Sequence, residues 1–389
     1  MTRVAIVGAG IGGLTTAIAL RSFGFEAAIY EAAPALAPVG AGIWVPPNAL
    51  QVLAALGARE AVAAAGVRID RVQIRTIEGT VLQELDAAAA RERYGEPIIS
   101  ILRTRLVEAL ASRLPGHLVQ PGKRCLGATH DQEGVTLRFD DGSEARADLV
   151  VAADGIHSAL RNSLFGPTSL RYAGQTCYRG IARMASGELG HTCAETWGTR
   201  CRIGYSAVGP DEVYWFAPVS SPAGTRLDPV RVKAQLLDMY AAFPHPVRLM
   251  LSETPTDRII QTDLHDFAPL PRWSTGHIVL LGDAAHAMTP NLGQGGAQAI
   301  EDAWVLASEL ARQDWRGALE AYEAARKPRT SWVAAAARRI GQIAHLENPL
   351  AQGLRNALMT RTPASIQRRH VQRLFSAEHL DLPTTAPAT

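Results

Sequence analysis

No stretch of this 389-residue chain approaches the roughly 18 consecutive apolar residues that a membrane-spanning helix requires. The opening run Val4 to Gly8 is broken at once by glycine, which excludes a signal peptide there, and a cytoplasmic protein is expected. Cysteine is scarce: Cys125, Cys177, Cys193 and Cys201 form no C-x-x-C pair, and no histidine stands at zinc-finger spacing from them. Neither a disulfide framework nor a metal site is expected from such spacing, only idle thiols in a reducing compartment. An excess of one charge is also missing. The 39 lysines and arginines nearly balance 37 acidic residues, so no nucleic-acid partner is expected. There is no internal repeat.

What remains is ordinary globular material, 47% hydrophobic and 20% charged, long enough for two or three domains. Arg3 to Val7 reads as a short buried strand, Gly12 to Phe23 as a helix, and Ala27 to Tyr30 as a second strand. Helices are expected over Ala49 to Leu56 and Arg103 to Leu114. Val135 to Phe139 alternates as a strand before the turn Asp140-Asp141-Gly142, and Leu149 to Ala152 is a buried strand. From about Tyr172 to Thr262 the texture is that of a mixed sheet, interrupted by a helical insert over Val230 to Phe243. Ile278 to Leu281 is again a buried strand. Beyond Gly295 the chain reads as helical, with Ile300, Ala303, Trp304, Ala307 and Leu310 on one core-facing stripe.

Three of those strands end in chemically specific turns. Gly8-Ala9-Gly10-Ile11-Gly12-Gly13 fits G-x-G-x-x-G between a strand and a helix. Gly8 permits the tight turn, Gly10 lets the backbone approach a pyrophosphate, and Gly13 allows close helix–strand packing. The helix N-terminus then favours the phosphate charge. Glu31 closes the next strand, where a carboxylate accepts bonds from ribose hydroxyls and disfavours a 2′-phosphate. The second strand end is Asp154-Gly155. The third is Gly282-Asp283, followed by Pro290-Asn291-Leu292-Gly293-Gln294-Gly295-Gly296 and a helix. An aspartate there suits a ribityl hydroxyl, and free N–H groups near Gly293 to Ala297 suit an anionic flavin edge.

In this order and spacing the three motifs resemble the flavoprotein monooxygenases related to p-hydroxybenzoate hydroxylase. Gly40-Ala41-Gly42-Ile43, Pro46-Pro47-Asn48-Ala49, Arg202-x-Gly204 and Tyr214-Trp215-Phe216 resemble the salicylate, urate and zeaxanthin-epoxidase-like branch. The resemblance implies an α/β fold: a Rossmann-like FAD-binding domain with an inserted mixed β-sheet substrate domain and a helical C-terminal region. It divides the chain into FAD-binding segments at 1–72, 98–171 and 271–325, substrate segments at 73–97 and 172–270, helices over 326–380 and a disordered tail over 381–389. It places Gly8, Gly10, Gly13 and Glu31 on the ADP half of FAD, with Ile11, Gly12, Ala32 and Gly42 also at the cofactor. Arg103 falls at the phosphates or ribityl chain, and the Cys125 backbone at adenine. Asp154 and Gly155 serve FAD and the reduced nicotinamide, and Asp283 the ribityl or pyrophosphate. Pro290, Gly293, Gln294, Gly295, Gly296 and Ala297 line the flavin ring.

The implied reaction inserts one atom of O2 into an aromatic or other electron-rich small molecule through a flavin C4a-hydroperoxide, with NADH or NADPH as a transient reductant. The flavin carries the difficult chemistry, so no catalytic triad is needed. No second G-x-G-x-x-G exists for a dedicated nicotinamide domain. Arg202 and Tyr214 are the candidate substrate-facing residues, Arg202 to hold an anion and Tyr214 to position or deprotonate a phenol. Arg179 is a further candidate, more structural in character, and His286 is expected to pack near the third turn. Two departures matter. Leu102 and Arg105 replace the family's usual His and Asp around Arg103, and Asn291 stands where urate-hydroxylating members carry an acid, which argues against urate. The rival readings are a dehydrogenase or reductase on the same fold and a non-catalytic FAD-binding protein. Arginines over 326–373 read as a solvated helix face rather than a membrane-touching one. A monomer or homodimer is the default assembly.

Overall fold

The Arg3–Val7 strand is apolar after its first residue and buried along that whole stretch, as a central parallel strand must be when both its faces are covered. In the computed structural model, which describes residues 2–36, 41–132 and 134–383, it lies inside a six-stranded sheet. The order is Ser274–Thr275, Ile278–Leu280, Leu149–Ala152, Arg3–Val7, Glu26–Tyr30, Val119–Gln120. Arg3–Val7 pairs in parallel on both sides, Val4 opposite Leu149 and opposite Ala27. Helices Ile11–Ser22 and Gly295–Arg312 pack on one another against this sheet, and the main apolar core forms around them.

The mixed sheet expected after residue 172 has seven strands, in the order Ile260–Asp266, Arg171–Arg183, Glu212–Ser220, Arg202–Gly209, Thr192–Trp197, Arg71–Thr76, Val81–Asp86. It is antiparallel except where Thr192–Trp197 runs parallel to Arg71–Thr76. The helical insert expected over Val230 to Phe243 forms the helix Val232–Met239, and a second helix, Val247–Ser252, follows beyond Pro244 and Pro246. They cover the sheet with a second core built on Trp215, Tyr240 and Met250. A three-stranded sheet, Gly42–Val45, Ile98–Leu102 and Val67–Ile69, joins the two larger ones.

Four helices complete the described chain: Gly295–Arg312, Trp315–Ala344, Pro349–Thr360 and Ala364–Phe375. The stripe Ile300, Ala303, Trp304, Ala307, Leu310 is buried as its spacing predicts. All four cysteines are buried and free. Among the described residues no helix is long and apolar enough to cross a membrane. Past Leu380 the described chain ends in coil over Asp381 to Pro383; Gly40 and 384–389 lie outside the described residues.

The solvated-face reading of the C-terminal arginines needs correction. Arg326 is fully buried and Arg355 is nearly so. Arg326 sits between Glu301 at 2.5 Å and Asp302 at 2.7 Å, both also fully buried. Helical spacing turns Arg326 inward, and the carboxylates at 301 and 302 compensate its charge.

Candidate cofactor cleft and substrate junction

Parallel pairing brings the three motif-bearing turns to one sheet edge, since Gly8, Ala153 and Leu281 each follow directly on adjacent strands. Glycine is required where they meet. A Cβ on Gly8, whose φ is +104°, would lie 2.4 Å from the Ala153 carbonyl oxygen, and one on Gly13 1.9 Å from that of Gly8. A Cβ on Gly12 would meet Leu281 at 2.8 Å. Gly10 is different: its backbone is extended, and a Cβ there would meet nothing within 4 Å. The space that a Cβ would fill at Gly10 is therefore open, beside the N-terminus of the Ile11–Ser22 helix, which no side chain caps.

Glu31 lies beside this turn. Its carboxylate accepts the Ala9 N–H at 2.7 Å and the Ala33 N–H at 2.8 Å, which fixes the loop and holds a negative charge there; Ala32 lies in the bend between. Asp154 is less satisfied. One carboxylate oxygen accepts from the Leu160 N–H, while the other is buried with no partner among the described residues. Desolvation pushes the Asp154 carboxyl up, against the lowering by the Ser158 hydroxyl and Leu160 N–H. The same charge and, above all, burial push the Cys125 thiol up to about 11, so Cys125 is no nucleophile. Gly155 turns the chain away at φ +80°.

Asp283 opens onto the cleft, where solvent reaches it although protein crowds its other sides. Desolvation pushes its carboxyl up, partly offset by His286 and Arg103. The Arg103 side chain is exposed at the start of the Arg103–Ala111 helix and pairs with no described acid. Pro290 is exposed, and Gly293 turns at φ +62° against Trp44. Gln294 is buried with its side-chain N–H2 unpaired, immediately before the uncapped Gly295–Arg312 helix that begins Gly295, Gly296, Ala297. Gly296 approaches Ile11 and Ile43, so the two helix N-termini face one cleft. An orphan acceptor at Asp154, an orphan donor at Gln294, an open Gly10 and two uncapped helix N-termini make an incomplete polar set. Each unpaired buried group costs about 1–3 kcal/mol until a ligand hydroxyl or carbonyl meets it. A cavity of about 310 Å³ lined by Trp273, His286, Arg338 and Arg339 lies elsewhere, behind the Asp283 turn, and shares none of these groups.

The substrate-facing candidates sit where the two large sheets meet. Tyr214 is buried against Gly42, at which a Cβ would fall 2.3 Å from the tyrosine ring. Burial pushes its hydroxyl up despite Arg179 beside it, so at neutral pH Tyr214 is a hydrogen-bond donor and not a base. Arg202 is buried, and its charge is already matched. It pairs with Glu195 at 2.6 Å, bonds the Asn291 side-chain oxygen, and donates to His345 at 3.3 Å. It is thus not the free anion clamp its sequence position suggests. Asn291 in turn donates to Thr289 and to the Ala337 carbonyl. Arg105 pairs with Glu212 at 2.5 Å and donates to the Val208 carbonyl, tying the Arg103–Ala111 helix to the seven-stranded sheet.

Glu195 and His345 have no motif, and only pairing register and the helix that returns over the sheet bring them here. Because Arg202 donates to His345 Nε2, the Nδ1 nitrogen carries the proton and donates to Ser220. Desolvation, with Arg202 and Arg355 adding repulsion, pushes His345 down to about 3. A histidine whose folded value is depressed contributes stability above its ordinary value of 6.5, lost as pH falls toward 3. Replacing His345 with Gln should therefore flatten the stability profile between those values, read as thermal midpoint against pH; an unchanged slope would refute the assignment.

A buried network supports the cleft from behind. Asn48 donates to Glu301 at 2.6 Å and Gln294 at 3.2 Å, while Gln298 donates to both. Arg329 clamps Glu301 with two bonds, and His286 bonds Asp302 at 2.5 Å with its ring tilted against Trp273. The only hint in the sequence is the spacing of Gln298, Glu301 and Asp302 on the buried side of an otherwise apolar helix.

Residues 1–337 match the family model described as FAD binding domain. The chain is 39% identical over 357 residues to the aurachin C monooxygenase/isomerase of Stigmatella aurantiaca, covering 92% of this chain and 93% of that protein. It is 35% identical over 347 residues to an FAD-dependent urate hydroxylase of Klebsiella pneumoniae, covering 87% and 90%. The crystal structure of Klebsiella pneumoniae HpxO complexed with FAD and uric acid superposes with a TM-score of 0.89 at 30% identity, over 97% of this chain and 96% of that one.

Proposed function

Since the chain belongs to the FAD binding domain family and is an FAD-dependent monooxygenase, we propose that the cleft described above holds the flavin and that the junction beside it takes a hydroxylated aromatic ring with no free carboxylate. The observation that carries the cofactor assignment is the convergence of three Gly- and Asp-bearing strand ends on one cleft whose polar set is incomplete. Gly8, Gly10, Ile11, Gly12 and Gly13 receive the pyrophosphate, with Glu31 and Ala32 at the ribose and Cys125 beside the adenine. Arg103, Asp154, Gly155 and Asp283 face the phosphates and ribityl chain. Gly42, Pro290 and Gly293 to Ala297 enclose the ring. This division assigns the flavin to segments 1–72, 98–171 and 271–325, and the substrate sheet to 73–97 and 172–270.

Bound FAD supplies the oxidoreduction and oxygen activation, with NADH or NADPH as its reductant. The chain's own residues orient and enclose. The free N–H groups at Gly295, Gly296 and Ala297, with the helix dipole behind them, stabilise negative charge on the ring edge. Gln294 offers its unpaired donor to a ring carbonyl. Tyr214, held protonated, donates to a substrate hydroxyl or carbonyl and keeps water out. Arg202, neutralised by Glu195, is a planar hydrogen-bonding wall.

The charge match selects the substrate. An aromatic carboxylate would find no uncompensated cation at Arg202, whereas a neutral phenol or hydroxylated N-heterocycle loses nothing by entering. The purified yellow protein should consume NADH or NADPH and O2 faster when neutral hydroxyarenes are added, yielding products heavier by one oxygen atom. Hydroxybenzoates should stimulate it less, and Glu195→Gln should narrow that gap. Failure of every aromatic to raise consumption above the uncoupled baseline would leave a reductase; equal stimulation by both classes would remove the selection argument.

A further inference from the structure

The segment from Pro349 to Ala377 carries five arginines, at 355, 361, 368, 369 and 373, and no acidic residue. It folds as two helices, Pro349–Thr360 and Ala364–Phe375, joined at Pro363. Leu350, Leu354 and Leu358 stand one helical turn apart and are 84%, 63% and 62% exposed. Ile366 of the next helix is exposed as well. Three large apolar side chains in one exposed row are unusual on a soluble surface, and mark a surface that something covers.

The orientation is built in. Asn348 caps the first helix through the Leu350 and Ala351 N–H groups. Arg355, beside the row and turned inward, is buried, donates to the Ile343 carbonyl and lies over the Trp197 ring at 5.0 Å. Gln352 bonds Thr199. With these anchors below, the leucine row faces outward. Arg361 falls three turns beyond Leu350 on the same stripe, and Arg368 and Arg369 are exposed on the following helix. Acidic groups near the segment lie at its ends or off the stripe: Glu347 pairs with Arg200, and Glu378 follows the second helix.

We propose that this pair of helices docks the enzyme on an anionic lipid surface, the leucines entering the acyl boundary and the exposed Arg361, Arg368 and Arg369 meeting the headgroups. An exposed apolar row on one helix followed by exposed arginines at its end and on the next helix fits an interfacial surface, and those arginines complement anionic lipid. A second copy of the chain is the poorer occupant, because an isologous contact would set these arginines against their own symmetry mates. Docking here brings the strand that carries Glu195 and Trp197 beside the bilayer, within reach of a substrate dissolved in it. The leucine row shares no residue with the flavin cleft, so lipid docking stands or falls independently of the cofactor assignment.

The test uses the full-length holoprotein sedimented with vesicles of phosphatidylcholine alone or of phosphatidylcholine with phosphatidylglycerol. Pelleting should require phosphatidylglycerol and weaken with added salt. The exposed-surface variant L350Q/L354Q/L358Q should lose about tenfold or more of that partitioning, while flavin content and NAD(P)H oxidation with a soluble substrate stay unchanged. R368Q/R369Q should weaken binding to the anionic vesicles only. Absence of pelleting overturns the proposal, as does pelleting that the leucine variant leaves intact. A wild-type dimer that the leucine variant converts to monomer, without vesicle binding in either, assigns the face to a second copy instead.

Discussion

Gly10→Leu yields a folded protein that emerges colourless. Most glycines in the dinucleotide turn are needed by the polypeptide itself: a methyl on Gly13 would overlap the Gly8 carbonyl oxygen at 1.9 Å, and one on Gly8 the Ala153 carbonyl at 2.4 Å. Substitution there disturbs the fold, and a loss of flavin would be uninformative. Gly10 has an extended backbone that any residue adopts, and a Cβ added there would have no neighbour within 4 Å. Its one function is to keep space open over the helix N-terminus. The side chain enters through a Cβ that meets no protein within 4 Å, so the thermal midpoint of the flavin-free protein should stay close to wild type. Displacing a pyrophosphate from free N–H groups should weaken FAD by on the order of 100-fold, which is about 2.7 kcal/mol. Gly10→Ala should fall between. Fluorescence titration of FAD into stripped protein decides it; near-normal affinity in the leucine variant would move the pyrophosphate elsewhere and dissolve the cofactor assignment.

Arg326→Met should destabilise the protein by about 3–5 kcal/mol although no surface residue changes. Methionine fills much of the volume, so the loss is electrostatic. Glu301 keeps Arg329 and His379, and Asp302 keeps His286 and the Gly282 N–H, but both lose the cation between them. Burial raises the Glu301 carboxyl, yet Arg326, His379 and Arg329 outweigh it and hold it well below its ordinary 4.5. A depressed carboxylate contributes stability above that ordinary value and loses it as pH falls through the folded value. Wild type should therefore weaken below about pH 4.5, and the variant, already weaker, should show a shallower acid limb. Adding Asp302→Asn to Arg326→Met should recover part of the loss, since the amide removes a buried carboxylate whose only arginine among the described residues was Arg326; additive losses in that double-mutant cycle would refute the coupling. The network also anchors Gln294 through Asn48 and Gln298, so flavin retention should fall with it.

Much of the cleft was legible in the chain. Glycine spacing between a strand and a helix expresses a local steric demand: Gly13 meets Gly8 within its own turn, and Gly8 meets Ala153 at the end of the neighbouring strand. The core stripe of the Gly295–Arg312 helix was equally local. The substrate junction was legible only by resemblance, and then only as positions. Arg202 lies at the junction of the two large sheets, but its partner Glu195 lies across a strand pair and His345 comes from more than a hundred residues away. The arginines of the C-terminal helices show the same limit: helical periodicity places Arg326 and Arg355 on a face but cannot say which face meets a carboxylate or a tryptophan.

Local sterics and periodicity, written in the sequence, determined the strands and the turns that end them, on which the proposed flavin cleft rests. The tertiary structure decided the charge state of each polar group, because pairing and desolvation depend on what packs against it from distant segments. It neutralised Arg202, kept Tyr214 protonated, buried Arg326 between two carboxylates and left a row of leucines facing out.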